Sequence, residues 1–163
     1  MHADVFLDLS HLINHILECS EKYDVMGLCG TEVLNISKTP LNWYTGSSDV
    51  PQKRWGCVTH GELGNQTSFF SQDRIETTDH SVGCIDGLCM IFNKKAVESG
   101  LEFDERLRFN CYDTQISLDA LMNKKLQLGV IVEPSLQHYS VGRAILEQDF
   151  LIDEKVLREH FNF

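Results

Sequence analysis

The chain has 163 residues, 42% of them hydrophobic and 23% charged, which is the balance of a single ordinary globular domain and excludes a disordered tail. No apolar run approaches the roughly 20 residues needed to cross a bilayer, so no membrane span is expected. Twenty-four acidic residues against 14 Lys and Arg leave a net charge of -10, which disfavours nucleic acid as a partner. The six cysteines form no Cys-x-x-Cys pair, which predicts reduced core thiols and a cytoplasmic protein.

In the first third of the chain, apolar residues recur with helical spacing and predict a helix over 9–23, capped by Asp8 or Ser10. The expected apolar stripe consists of Leu9, Leu12, Ile13, Ile16 and Leu17. The next apolar run, 24–30, ends in glycine and predicts a buried strand. Residues 35–54 hold two of the three prolines and a Gly-Ser-Ser cluster, which predicts a long surface loop.

The middle of the chain is rich in strand-like segments. They lie at 55–60, 66–70 and 74–78 and in the longer apolar run 84–92. Residues 94–99 should then form one or two helical turns, which Gly100 ends in a left-handed cap.

The last third alternates helix and strand. An amphipathic helix over 113–125, with Gln115 on its outward face, leads into a buried strand over 128–133. The tail 144–161 is again predicted to be helical, in two pieces divided near 151–153. This alternation favours an α/β fold, with 1–163 as a single domain.

Two short acidic features could carry chemistry in the first half of the chain. His2 and Asp4 alternate on a predicted strand end, so both side chains project to one side and can share a cation; an ordinary polar chain terminus would look the same. Asp86 precedes Gly87, where a bare backbone would allow close approach of a ligand. Alternatively, Asp86 only caps a turn.

Two further features lie in the second half. Phe103-Asp-Glu-Arg-Leu107 leads to Tyr112 and Asp113, and Asp113 is expected at the start of a helix. There it serves either as a cap or as an ionised carboxylate that accepts a proton. His138 lies in the predicted loop 134–142, where an imidazole is either solvated or a ligand.

Taken in order, these features resemble the later part of a family 2 type glycosyltransferase with the GT-A fold, in the branch described as glycosyltransferase-like and named after a streptomycin-biosynthesis protein. The resemblance runs from His2 to about Gly142. It is carried by HADV at 2–5, Leu28-Cys29-Gly30, Ile85-Asp86-Gly87, FDERL with Tyr112-Asp113, and Pro134-x-x-x-His138-Tyr-Ser-Val-Gly142. It implies a GT-A-like three-layer mixed sheet flanked by helices. It also implies transfer of a sugar from a nucleotide-sugar donor to the hydroxyl of a carbohydrate acceptor.

The resemblance further implies roles for individual residues. A divalent metal, Mn²⁺ or Mg²⁺, would be held on the donor diphosphate by His2, Asp4 and His138. Asp113 would be the catalytic base that takes the proton from the acceptor hydroxyl. The pocket for the donor sugar and the acceptor is assigned to Asp86, Gly87, Trp43 and Tyr112.

One large departure from the family concerns the start of the chain. In the family, the elements that bind the nucleotide precede the metal motif, whereas here that motif begins at residue 2. The chain is therefore expected to be the C-terminal portion of such an enzyme, incomplete at its N-terminus, and either active or a degenerate remnant. A homodimer or a separate partner chain is expected to cover the sheet edge left exposed.

Two other functions stay open at this stage. The first is a non-catalytic module that binds a carbohydrate or a protein through Trp43 and Tyr44 on the predicted loop. The second is a metal hydrolase built on His11 and His15, four residues apart on one helix face. It lacks a Glu after His11 and a third ligand nearby in sequence.

Overall fold

A computed structural model describes residues 3–37, 41, 54–61, 67–69, 78–107, 109–133, 135–139 and 148–163. In this part of the chain the fold is mixed α/β, as predicted, with three sheets and four helices. The helices are α1 (Leu9–Cys19), α2 (Lys94–Glu98), α3 (Tyr112–Leu118, continued by a π-helical segment at Asp119–Asn123) and α4 (Gln148–Phe161). The strands are β1 (Val5–Phe6), β2 (Val25–Gly27), β3 (Cys29–Thr31), β4 (Arg54–Gly56), β5 (Val58–His60), β6 (Thr67–Phe69), β7 (Thr78–Ser81), β8 (Cys84–Ile85), β9 (Met90–Phe92), β10 (Leu128–Val132) and β11 (Gln137–His138).

The strands are distributed over three sheets, with the orders β1–β11–β5–β6, β7–β10–β2–β9 and β4–β3–β8. Strand β10 pairs with β2 in parallel and with β7 antiparallel. All of its residues are buried, as a continuous apolar run predicts for a strand covered on both faces. The α/β class is therefore confirmed in this part of the chain, while the GT-A arrangement stays a prediction.

Two apolar runs predicted as single strands are each broken in two. The run 24–30 divides at Leu28 into β2 and β3, which belong to different sheets. The run 84–92 divides into β8 and β9 because the side chain of Asp86 turns the backbone, accepting a hydrogen bond from the Leu88 N–H at 2.7 Å. This break places Asp86 in a turn rather than inside a strand.

Helix α1 begins as predicted but is shorter and less buried than its pattern indicates. The Asp8 carboxylate accepts a hydrogen bond from the Ser10 N–H at 3.0 Å, so Asp8 is the cap, and the helix ends at Cys19. Only Leu12 of the expected stripe is fully buried. The prediction of one buried stripe is wrong for three of its residues, which are exposed: Leu9, Ile13 and Leu17.

Helix α4 supports the start of α3. It is one continuous helix, so the predicted division near 151–153 is wrong, and residues 144–147 lie outside the described part of the chain. Leu157 packs in a buried cluster with Cys111, the residue before α3. The Asp153 carboxylate accepts hydrogen bonds from both the backbone N–H and the side-chain amide of Asn110, at 3.0 and 3.1 Å.

Gln115 is a second anchor of α3, and its predicted outward orientation is wrong because the side chain is fully buried. Its amide nitrogen donates to the Glu102 carbonyl, and its amide oxygen accepts from the Asp104 N–H, both at 3.1 Å. Hydrogen bonds from Arg106, joined by one with His160, hold the pKa of Asp104 well below its ordinary value. The two hydrogen bonds of Gln115 attach the 102–106 segment to α3.

Candidate functional site

Asp4 and His138, predicted to share a cation, lie side by side although they come from distant parts of the sequence. Antiparallel pairing of β1 with β11 sets Val5 opposite His138, and the Tyr139 N–H donates to the Asp4 carbonyl at 3.0 Å. The Asp4 Oδ2 and His138 Nε2 atoms are 3.3 Å apart. The His138 side chain is 9% exposed and that of Asp4 is 42% exposed, so the pair has a buried imidazole and a carboxylate accessible to solvent.

The position of His138 differs from the sequence prediction. It lies in β11 rather than in an open loop, and it is buried. Its predicted companion His2 lies outside the described residues.

His60 joins this pair, although no sequence motif pointed to it. Parallel pairing of β11 with β5 places His60 opposite His138, with their Nδ1 atoms 3.2 Å apart and their rings 5.1 Å apart at 61°. His60 ends a segment predicted as a strand, but no sequence signal indicated that this strand pairs with β11. The missing information was the pairing of strands far apart in the chain.

The short contact between the two imidazoles constrains their protons. One Nδ1 atom must donate to the other, because two lone pairs at this distance repel. If His60 donates, the His138 Nε2–H can donate to Asp4 at 3.3 Å; if His138 donates from Nδ1, its Nε2 lone pair repels the Asp4 carboxylate unless a cation lies between them. In this second arrangement the lone pair is available to a cation. His60 then orients the imidazole of His138, as hydrogen-bonded partners of metal ligands commonly do.

A second group of predicted residues comes together around the start of α3. Asp113 is the second residue of that helix, and its carboxylate accepts hydrogen bonds from the Gly87 N–H at 3.3 Å and the Thr114 N–H at 2.7 Å. Cys111, with a left-handed φ of 61°, precedes the helix, so the alternative that Asp113 is its N-cap is wrong.

Gly87 is required by a close approach, although the neighbour is Tyr112 and not a ligand. A Cβ atom at Gly87 would lie 2.0 Å from the Tyr112 hydroxyl oxygen. Asp86 is held from both sides: its N–H donates to the Cys29 carbonyl at 2.8 Å, and its carboxylate accepts from Leu88. The turn and the helix start therefore form one unit containing Asp86, Gly87, Tyr112 and Asp113.

Burial and neighbouring charges shift the pKa values of Asp113 and Tyr112. Burial raises the pKa of Asp113 by more than the hydrogen bonds from Thr114 and Gly87 lower it, so the net pKa is raised. Burial also raises the pKa of Tyr112, and the nearby charges of Asp113 and Asp86 raise it further. The unit thus combines a carboxylate that takes up a proton more readily than usual with a phenol that keeps its proton.

One hydrophobic core lies beneath both groups. Val5, Val58 and Leu136, which are within two residues of Asp4, His60 and His138, pack in the same cluster as Leu88, which follows Gly87. Cys29 belongs to that cluster and also accepts the hydrogen bond from Asp86. Trp43, assigned to the same pocket, and Tyr44, which the binding-module alternative uses, lie outside the described residues.

Comparison with known proteins identified no relative. No family model, no curated protein and no solved structure matches the chain. Among the residues that the structure describes, no helix is both long and apolar enough to span a membrane.

Proposed function

We propose that this protein is a metal-dependent glycosyltransferase of the GT-A type, which moves a sugar from a nucleotide-sugar donor to an acceptor hydroxyl. The observation that carries the proposal is the 3.3 Å approach of Asp4 to His138 from distant parts of the chain. A carboxylate oxygen beside an imidazole nitrogen is a donor set for a divalent cation. When bound, such a cation offsets the negative charge that develops on a departing diphosphate.

The donor set favours Mn²⁺ over Mg²⁺. Mg²⁺ prefers oxygen ligands in near-ideal octahedral geometry, whereas the first-row transition metals bind imidazole more readily. The net charge of -10 adds a reason for a cation, since an anionic donor is otherwise repelled. We therefore expect donor binding to depend on Mn²⁺.

Asp113 is the proposed catalytic base. Its raised pKa makes it a stronger proton acceptor than an ordinary carboxylate, and it acts only when ionised. The transfer rate should therefore rise with pH through a value above about 3.9, the ordinary pKa of Asp. Tyr112, which keeps its proton, can donate a hydrogen bond to a sugar hydroxyl.

Isothermal titration calorimetry tests donor binding. The full chain is titrated with UDP-glucose, GDP-mannose and dTDP-glucose, with and without Mn²⁺. We expect metal-dependent binding of at least one donor, lost in Asp4→Asn and His138→Gln and kept in Asp149→Asn, a matched change at an exposed carboxylate. No detectable binding of any of the three donors would reject the proposal in favour of a non-catalytic binding module.

Slow hydrolysis of the bound donor tests the base without knowledge of the acceptor. Asp113→Asn should keep donor binding but reduce nucleoside diphosphate release by roughly 10²–10⁴-fold, the usual contribution of a general base. An unchanged rate in this variant would reject Asp113 as the base and leave the metal pair unaffected.

A further inference from the structure

A third group of ligating side chains lies between α1 and β7. His15 and Cys19 are one turn apart on α1 and share a face of the helix. Asp79 of β7 reaches the same point, so that one ligand atom from each of the three residues lies within 4.8 Å of the others. The sequence pairs His15 with His11, whose side chain lies outside the described part, and offers no third ligand nearby in the chain. The tertiary structure supplies two different partners.

The His15 ring has a nitrogen atom with no hydrogen-bond partner among the described residues. In the described part of the chain, its Nε2 atom is buried and makes no hydrogen bond, and the nearest Asp79 oxygen, Oδ1, is 3.9 Å away. A buried polar atom left in this state costs the fold stability. A cation between the ring and the carboxylate would remove that cost.

We propose that His15, Cys19 and Asp79 form a Zn²⁺ site that joins α1 to β7. One nitrogen, one sulfur and one oxygen ligand suit Zn²⁺, whereas a thiolate sulfur is a poor ligand for Mg²⁺ and Mn²⁺. Tetrahedral Zn²⁺ needs ligand atoms roughly 3.3–3.8 Å apart, given bond lengths of about 2.0–2.3 Å. The His15–Asp79 distance of 3.9 Å is already close to this range, and with all three ligand atoms within 4.8 Å of one another, side-chain rotation would have to bring them to it when the ion binds. Water would complete the fourth position.

Two neighbours decide how Asp79 can serve as a ligand. The Tyr23 hydroxyl donates to Oδ2 at 3.0 Å, which orients the carboxylate and leaves Oδ1 toward His15. The Lys22 ammonium lies 3.3 and 3.2 Å from the two oxygens and would repel a cation. The Lys22 side chain is 59% exposed, so it can move into solvent when the ion binds.

The thiol must lose its proton to bind the ion. Burial, with the charge of Asp79, raises the pKa of Cys19 to about 11, so the ion competes with a proton for the sulfur. One thiol proton passes to solvent as the Zn–S bond forms.

Cobalt substitution tests this site directly. The full chain, stripped of metal with a chelator, is titrated with Co²⁺, and the near-ultraviolet thiolate-to-cobalt charge-transfer band is recorded. We expect one equivalent of Co²⁺ to produce the band and Zn²⁺ to abolish it by displacement. Cys19→Ser should lose the band, and His15→Gln and Asp79→Asn should weaken Zn²⁺ binding by at least about 10-fold. Cys57→Ser, at a half-buried thiol outside the cluster, should keep the band.

The absence of a charge-transfer band in the wild-type chain, or its persistence in Cys19→Ser, would overturn the proposal. If Cys19→Ser does not fold, the other two variants decide, because unchanged Zn²⁺ affinity in both rejects the site. Asp4→Asn separates this proposal from the glycosyltransferase site: it should lose Mn²⁺-dependent donor binding and keep the thiolate band.

Discussion

Replacing Gly87 by alanine tests how tightly the turn at Asp86 and the start of α3 are packed. The new Cβ would lie 2.0, 2.4 and 2.6 Å from the Tyr112 Oη, Cζ and Cε2 atoms, all within the distance at which one side must move. The backbone at Gly87 is not left-handed, so the cost is steric alone. Because Tyr112 is half-buried and can yield partly, we expect Gly87→Ala to lower the free energy of unfolding by about 1–3 kcal/mol.

A double-mutant cycle, measured by urea denaturation, isolates this contact. In a Tyr112→Ala background the ring is gone, so Gly87→Ala should be neutral or stabilise by about 0.4–1 kcal/mol through the unfolded state. The coupling energy is then about 2 kcal/mol. Tyr112→Phe removes only the atom at 2.0 Å and leaves the two ring carbons, so it should not rescue the alanine.

Gly100→Ala provides the matched control. Gly100 has a left-handed φ of 69°, and among the described residues its added Cβ would meet only the Lys124 ammonium, at 3.7 Å. Its cost, about 1 kcal/mol of backbone strain, should therefore be the same with and without the Tyr112 ring. An equal cost of Gly87→Ala in both backgrounds, or full rescue by Tyr112→Phe, would refute the packing argument.

Two further predictions concern stability and thiol chemistry. Asp24→Ala should lower the free energy of unfolding by about 2–3 kcal/mol, because the Gln127 N–H and the Lys95 ammonium lose their acceptor. Burial acts to raise the pKa of Asp24, but the hydrogen bonds from Lys95, Gln127 and Asn93 outweigh it and hold the pKa below its ordinary value. The stabilisation by Asp24 should thus be present above about pH 4 and be lost as pH falls through the pKa of the folded state. Denaturation curves of wild type and variant measure this loss. A difference in free energy of unfolding that stays constant down to about pH 2 would contradict the prediction. Burial also raises the pKa of all six thiols, so few of them are thiolates at about pH 8. A disulfide reagent at this pH should label the native protein slowly, with half-buried Cys57 first, and should label all six thiols only after denaturation. Rapid labelling of several native thiols would contradict this prediction.

The site could be predicted from sequence only in part. The order of short motifs indicated that Asp4 and His138 act together, and the structure brings these two side chains within 3.3 Å of each other. It also joins Gly87, assigned to the sugar pocket, to Asp113, assigned as the base. His60 and the His15–Asp79 pair were missed. Each of these contacts joins residues from different elements, and a single sequence contains no signal for which strands will be neighbours.

Local signals by themselves determined several elements of this protein. The Asp8 cap, the helical turns that end at Gly100 and the apolar run of β10 all follow from interactions within a few residues, and the structure has all three. Tertiary structure alone decided the breaks in both long apolar runs, the burial of Gln115 and the partners of His138. The physical reason is that caps and turns depend on neighbours in the chain, whereas strand pairing and burial depend on which distant surfaces meet when the chain folds.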